Sequence, residues 1–324
     1  MARISVVVPI YNEETCLREL YRRLTEVDES IDDDIECLFV DDGSSDRSRE
    51  IIRELAETDE RVRYIFLSRN FGAEAALTAG IDHADGDAVV LIDADLQDPP
   101  EVIPEMIGLW RKGNDIVYAQ RRSRKGERFS KRFSAWLFYR IIRHLSGVNI
   151  PVDTGYFRLM DRRVVLEVRR CREIHRFVRG LVAWTGFRQT ALRYDRDERH
   201  AGETKFTPIK MTVLAMDAVL GFSGLPLRIS VVLGLLACLF SVFIFAGLLI
   251  ARIWQGAPMS GYALLASAVF LLGGVQLLML GVLGEYIDRI YRQEQGRPIY
   301  IAAEKSSALP EGPEGAASVG GTTR

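Results

Sequence analysis

Short apolar runs, each closing in polar turn residues and followed by a stretch of helical spacing, set the rhythm of the N-terminal part of the chain. Residues 4–9, a β-branched run ending in Pro9, predict a buried strand. The next segment predicts a helix to about position 30, with Asn12 as N-cap and Leu17, Leu20, Tyr21, Leu24 and Val27 on one face. The alternation then repeats, with strands at 35–40, 62–67, 88–92 and 115–118. Between them lie a helix at 48–58, a small-residue helix through 84 and a helix opening at Pro99. A short strand after 153, a helix over 161–186 and a last strand at 189–194 complete the pattern. This order predicts an α/β domain over 1–205, with a mostly parallel, Rossmann-like sheet covered on both faces.

The pattern changes character after that domain. Thr207-Pro208 reads as N-cap and first residue of a segment that is mostly apolar but carries Lys210 and Asp217. Over 206–228 this fits interfacial amphipathic helices lying on a membrane, with a buried core helix as the competing reading. Residues 229–250 and 262–283 each lack a charge. At a rise of about 1.5 Å per residue each run extends about 33 Å, enough to cross a hydrocarbon core. Residues 229–283 are therefore expected to form a two-helix transmembrane hairpin, within which Gln276 serves helix packing. The connecting loop 251–261 carries one Arg, whereas Arg289, Arg292, Arg297 and Lys305 follow the second run and basic residues precede the first. The positive-inside rule then places the α/β domain and both termini in the cytosol, in a multi-pass protein of the inner (cytoplasmic) membrane. Residues 284–305 would be a cytosolic C-terminal segment, and the Gly/Ala/Ser/Pro/Glu-rich 306–324 a disordered tail.

Composition removes several function classes. A net charge of −2 gives no general pull towards nucleic acid. Cys16, Cys37, Cys171 and Cys238 show no CxxC spacing, and the four histidines show neither HxH nor HExxH spacing. A disulfide framework and a zinc site are both disfavoured, in keeping with a reducing compartment. The start has no signal-peptide h-region, so no cleaved signal is expected. No GxGxxG follows the first strand and no GxxxxGK[ST] occurs, which argues against a Rossmann dinucleotide site and a P-loop.

The chemistry that remains is acidic. The strand at 88–92 runs into DADLQD, placing Asp93, Asp95 and Asp98 within six residues. Such a cluster repels itself unless a cation neutralises it, and hard divalent ions such as Mg²⁺ or Mn²⁺ accept carboxylates together with substrate phosphates. A solvated, Asp-rich turn closing a strand is the competing reading. Glu13 and Asp42 also fall at strand C-termini, where open α/β sheets bind ligands. Acids there suit hydrogen bonding to base and ribose and the holding of a metal. Residues 121–132 reverse the sign, with Arg121, Arg124 and Lys131 among many Lys and Arg against a single Glu. Aromatic residues follow at helical spacing, and such a basic amphipathic stretch can lie on an anionic membrane surface. Asp153 sits in a turn before a strand, and Arg199 and Lys205 flank a glycine just before the apolar region.

Taken together, VVPIYNEE, VDDGSSD, SRNFG, DADLQDPPE, DTGYFRLMD, RHAGETK and GEYIDRIYRQEQGRPIY resemble the bacterial polyprenyl-phosphate glycosyltransferases. These are inverting enzymes of the GT-A fold, akin to bactoprenol glucosyltransferases and dolichol-phosphate mannose synthases, and the resemblance covers about 1–301. It implies that Pro9, Tyr11, Glu13 and Asp42 line a nucleoside pocket and that Asp93 and Asp95 approach the diphosphate. Asp95 and Gln97 would ligate Mg²⁺ or Mn²⁺. Arg121, Arg124 and Lys131 would lie near the phosphates of donor and acceptor, and Arg199 and Lys205 would help hold a lipid phosphate. Asp153 is the candidate base. The implied partners are a nucleotide-sugar donor, with UDP-glucose the first candidate, a polyprenyl (undecaprenyl) phosphate acceptor in the cytosolic leaflet, the membrane, and further copies of the chain, a tetramer among the options. GDP-mannose, a UDP-N-acetylhexosamine or a UDP-aminoarabinose type of donor are alternatives, as is a non-catalytic scaffold or flippase partner. A processive polysaccharide synthase of the same fold is disfavoured, because no QxxRW follows the acid and the membrane runs are few.

Overall fold

Alternate side chains of the first strand enter two different cores, which explains why its sequence is apolar without interruption. In the computed structural model, residues 1–122, 154–174, 176–195, 261–306 and 309 are described, together with 232, 234–236, 239–240, 243, 247 and 254. Strand β1 (Arg3–Ile10) sends Ile4, Val6, Val8 and Ile10 to one apolar cluster and Val7 to the other. Helices α1 (Leu17–Glu29), α2 (Ser48–Thr58) and α4 (Ile103–Arg111) cover the first face. Helices α3 (Ala73–His83), α5 (Arg162–Arg170) and α6 (Val178–Trp184) cover the second. Leu17, Leu20 and Leu24 of α1 are at most 1% exposed, and each such burial stabilises by about 1.5–3 kcal/mol. Helix α3 is built of small residues for a steric reason. A Cβ on Gly80 would lie 2.1 Å from Val7 Cγ1, so the helix backbone lies directly on β1.

The remaining strands are β2 (Asp34–Asp41), β3 (Val62–Leu67), β4 (Ala88–Leu91), β5 (Ile116–Arg121), β6 (Thr154–Asp161), β7 (Gln189–Tyr194) and β8 (Ala302–Lys305). They form one sheet in the order β7-β5-β6-β4-β1-β2-β3-β8. β1, β2, β3 and β4 run parallel, so their C-terminal ends share one edge. The expected mostly parallel sheet is corrected to a mixed one. β6 enters antiparallel between β4 and β5, and β8 pairs antiparallel with β3. The predicted helix over 161–186 is two helices, broken at the extended Cys171.

β8 was not foreseen in the sequence. Its pairing sets Ile65 opposite Lys305 and Phe66 opposite Glu304. Arg53 makes a two-pronged ion pair with Glu304, at 3.1 and 2.6 Å. Just before the strand, the buried Tyr300 donates its hydroxyl to Asp82 Oδ2 at 3.1 Å. Lys305 Nζ lies 2.8 Å from Nε2 of the buried His83.

The chain divides into two compact units, Met1–Val213 with Pro298–Arg324, and Leu214–Arg297. The second contains α7 (Gly261–Glu294), 34 continuous residues that include the second expected span. Among the described residues no helix is long and apolar enough to cross a membrane. Many apolar side chains of both runs lie outside those residues, as do the expected interfacial segment 206–228 and the tail beyond 309.

Candidate functional site

Three loops meet where β1, β2 and β4 end. β2 closes in Asp41-Asp42-Gly43-Ser44, and the two adjacent acids do different work. Asp41 is fully buried and accepts N–H bonds from Gly43 and Ser44 at 3.1 Å each, while Arg49 Nε donates to it at 2.5 Å. Arg49 also reaches Leu67 O at 2.7 Å, which ties the β2 loop to the end of β3. Gly43 has φ +73°, and a Cβ there would lie 2.5 Å from backbone atoms of Arg69 and Asn70, so the loop needs glycine twice over.

Asp42 is 3% exposed and turns the other way. Its oxygens accept the N–H groups of Phe71 (2.7 Å) and Gly72 (2.9 Å), at the start of α3. Burial raises its pKa from 3.8 to about 6, against the opposing pull of those two N–H bonds. The expected nucleoside-pocket residue thus also fixes the SRNFG loop.

Across the edge, Asn12 departs from the expected N-cap. It has φ 54°, a left-handed conformation that asparagine tolerates, and α1 begins five residues later with no side-chain cap. Asn12 instead accepts the Ser45 N–H at 2.8 Å and donates its own N–H to Ser44 Oγ at 2.9 Å. Glu13 N–H donates to Ser48 Oγ at 3.1 Å, and Glu14 bonds both ways with the 46–47 turn. Pro9 is partly buried within β1 and Tyr11 is 40% exposed.

In the loop after β4, Asp95 Oδ1 accepts the Gln97 N–H at 3.1 Å, and Leu96 between them has φ 60°. A leucine in that region costs about 1–2 kcal/mol, which burial of its side chain offsets. The turn therefore holds Asp95 and Gln97 in a fixed relation. Asp98, the third acid, is fully buried and accepts the hydroxyl of Tyr194 from β7. Burial and the neighbouring Asp98 push the Tyr194 pKa upward, while Arg121, bonded to that hydroxyl, pulls the other way. Arg121 Nη2 lies 3.3 Å from where a Cβ on Gly155 would stand, and Asp98 Oδ2 lies 3.7 Å from it. Asp98 is thus an anchor, whereas Asp93 and Asp95 stay partly exposed. Among the described residues no group of three or more His, Cys, Asp and Glu is arranged to hold a metal. By residue type, the two carboxylates and the amide of Gln97 in this loop are hard oxygen donors of the kind Mg²⁺ or Mn²⁺ accepts alongside substrate phosphates.

A second polar cluster, missed at the sequence level, adjoins this loop. Glu74, in the first turn of α3, accepts the Tyr156 hydroxyl at 2.9 Å and the Val178 N–H at 2.8 Å. Arg158 is 4% exposed and donates to the carbonyls of Tyr156 (3.3 Å) and Gly155 (3.0 Å). Burial, reinforced by nearby Arg179, lowers its pKa to about 10, which leaves it charged at neutral pH. Arg179 donates to Thr154 O at 3.0 Å and lies over the Tyr156 and Phe177 rings. The signals available were a lone Glu in the small-residue stretch AEAALTAG and an Arg inside the strand TGYFRLMD. Asp153, Arg124, Lys131, Arg199 and Lys205 lie outside the described residues.

Residues 5–169 match the family model described as glycosyl transferase family 2. An uncharacterized glycosyltransferase, YkcC, of Bacillus subtilis (strain 168) is 49% identical over 297 residues, covering 92% of each chain. A SfII prophage-derived bactoprenol glucosyl transferase of Shigella flexneri is 41% identical over 308 residues, covering 95% of this chain and all of its own. Among solved structures, mannosyl-3-phosphoglycerate synthase from Rubrobacter xylanophilus aligns over 67% of this chain and 72% of its own, with a TM-score of 0.47 and 18% identity. The acid-rimmed sheet edge and the near full-length identities agree with the motif resemblance: the chain belongs to glycosyl transferase family 2 and is a glycosyltransferase of the GT-A kind.

Proposed function

We propose that this enzyme moves a hexose, glucose from UDP-glucose in the first instance, onto polyprenyl phosphate at the cytosolic face of the membrane. The observation that carries this reading is the shared edge of β1, β2 and β4, which gathers Glu13, Asp42, Asp93 and Asp95 on one rim. The bactoprenol glucosyl transferase name of a relative supports the acceptor and the sugar.

In this reading Pro9, Tyr11, Glu13 and Asp42 frame the nucleoside, and Asp93 approaches the diphosphate. Asp95 and Gln97 would hold Mg²⁺ or Mn²⁺, which supplies positive charge against the departing nucleoside diphosphate. Arg121, Arg124 and Lys131 add cations near the phosphates, and Arg199 and Lys205 bring the lipid phosphate to an otherwise acidic rim. That phosphate, with a second pKa of about 6, is already largely dianionic at neutral pH and is itself the nucleophile. Asp153 then serves to orient sugar or acceptor as much as to remove a proton. Attack opposite the leaving group inverts the anomeric centre.

The membrane hairpin is part of the same proposal. Leu235, Leu236, Leu239, Phe240 and Phe243 are all more than half exposed, and so are Leu265, Val269, Leu277 and Leu280 of α7. Apolar side chains presented so densely suit lipid rather than water. A Cβ on Gly234 would meet Met279 Cε at 2.5 Å. An antiparallel hairpin turning through 251–261 brings position 234 level with about 278, given equal rise on both helices. Assembly into a homo-oligomer would use these same helices.

The test is transfer of radiolabel from a panel of UDP- and GDP-sugars to polyprenyl phosphate in detergent, with Mg²⁺, Mn²⁺ or EDTA. Label from UDP-glucose should enter the organic phase only with metal, and Asp95→Ala should lower that transfer by at least about 100-fold. Label from another donor corrects the sugar. Free nucleoside diphosphate without lipid product overturns the acceptor, and the absence of both signals overturns the donor and acceptor proposed here.

A further inference from the structure

The cluster around Glu74 belongs to no role assigned above, yet through Tyr156 and Arg158 it lies on the strand that pairs with β4, next to the loop that carries Asp93. β4 pairs antiparallel with β6, with Val89 opposite Met160, Val90 opposite Leu159 and Leu91 opposite Arg158. Continued by two residues, that register sets Asp93 opposite Tyr156, and the Asp93 charge acts on the Tyr156 hydroxyl. The hydroxyl donates to Glu74 at 2.9 Å. Glu74 is itself fixed from a third element by the Val178 N–H of α6. Arg158 and Arg179 grip the carbonyls of Thr154, Gly155 and Tyr156, which holds the start of β6 in place.

The charges explain why the arrangement persists. Two guanidiniums near one carboxylate leave a positive excess around Tyr156. Removing Glu74 would leave that excess beside Tyr156 with one anion fewer to balance it. Glu74 is a costly group to keep there, since burial pushes its pKa up. A helix of small residues has no packing need for a carboxylate at this place.

We propose that Glu74 is a positioning residue for glycosyl transfer, fixing through the Tyr156 hydroxyl the start of β6 against the loop that carries Asp93 and Asp95. The inference rests on the function proposed above. A misplacement of about 1 Å in such a site can cost about 100-fold in rate. Glu74→Gln keeps the shape and loses the charge, while Tyr156→Phe keeps the ring and loses the hydroxyl.

The experiment measures kcat and both KM values for the wild type, Glu74→Gln, Tyr156→Phe, the double variant and Glu74→Asp, with Tm and UDP affinity for each. Glu74→Gln and Tyr156→Phe should each lower kcat by about tenfold or more, with the KM for polyprenyl phosphate changed less than about twofold. The double variant should fall no further than the worse single one, because both act through one contact. Glu74→Asp, which restores the charge, should recover part of the loss. An unchanged kcat in Glu74→Gln overturns the proposal. So do losses that multiply in the double variant, or losses matched by Tm and rescued on cooling, which mark a merely structural group. A wild type that transfers no label overturns the function itself, whereas an active wild type beside an equally active Glu74→Gln enzyme overturns this inference alone.

Discussion

Asp42 carries a cost that its neighbour Asp41 avoids. Asp41 meets a guanidinium, whereas Asp42 meets two backbone N–H groups in a dry place, and its pKa rises to about 6. The folded state therefore binds a proton that the unfolded chain releases at an ordinary 3.8. Between those values stability falls as pH rises. Asp42→Asn forgoes one of the two N–H bonds, and at pH 4 it should be less stable than wild type by about 1–2 kcal/mol. Because the variant does not titrate, that deficit should shrink as pH rises towards 7. Thermal unfolding of both proteins across this range is the measurement, and a constant gap would show that Asp42 does not titrate as described. Acids at strand ends are visible in a sequence, but their division of labour is not. Nothing in VDDGSSD says which carboxylate faces Arg49 and which faces the SRNFG loop, since that depends on where β3 ends.

The element pattern was legible where periodicity was strong. The helix at 48–58 and the strands at 62–67 and 189–194 fall where the sequence places them. The antiparallel insertion of β6 could not be read, because an apolar strand buried on both faces looks the same in either direction. β8 escaped because four residues of AAEK alternate too briefly to signal a strand, and its partner lies far away in sequence. Its docking has its own pH dependence. His83 Nδ1 lies 2.9 Å from Ala79 O, so a neutral ring donates there and offers Nε2 to the Lys305 ammonium. Burial lowers the His83 pKa from 6.5, with Lys305 acting in the same direction. The unfolded chain then takes up the proton first as pH falls, and the stabilisation present above 6.5 is lost below it. Protection of the amides at 302–305, relative to their intrinsic exchange rates, should fall between pH 7 and pH 5, and His83→Gln should flatten that response. Equal protection at both pH values would rule out the His83 contact as a hold on β8.

At the scale of the whole molecule, the two apolar runs were the plainest signal in the sequence, and the proposed hairpin would set where the enzyme works. Topology can be read with a membrane-impermeant maleimide on intact cells. Ser260→Cys should label from outside, whereas Gln295→Cys at the end of α7 should label only after lysis. Labelling of both from outside, or of neither, would overturn the hairpin. Cys16 and Cys37 are buried, and the partly exposed Cys171 is changed to Ser, together with Cys238, before either cysteine is introduced.

The return of the chain to β3 has a consequence in time. Arg53 waits for Glu304 across 251 positions, and Tyr64 for Ser306 across 242. A ribosome must translate the rest of the first unit and both apolar runs before β8 exists. Throughout that interval the outer edge of β3 has no strand to pair with, and an uncovered edge is where a nascent sheet adds a foreign one. Completion of the sheet therefore comes only after both apolar runs, so a chain halted within them would carry every acid of the rim on a sheet still open at one side.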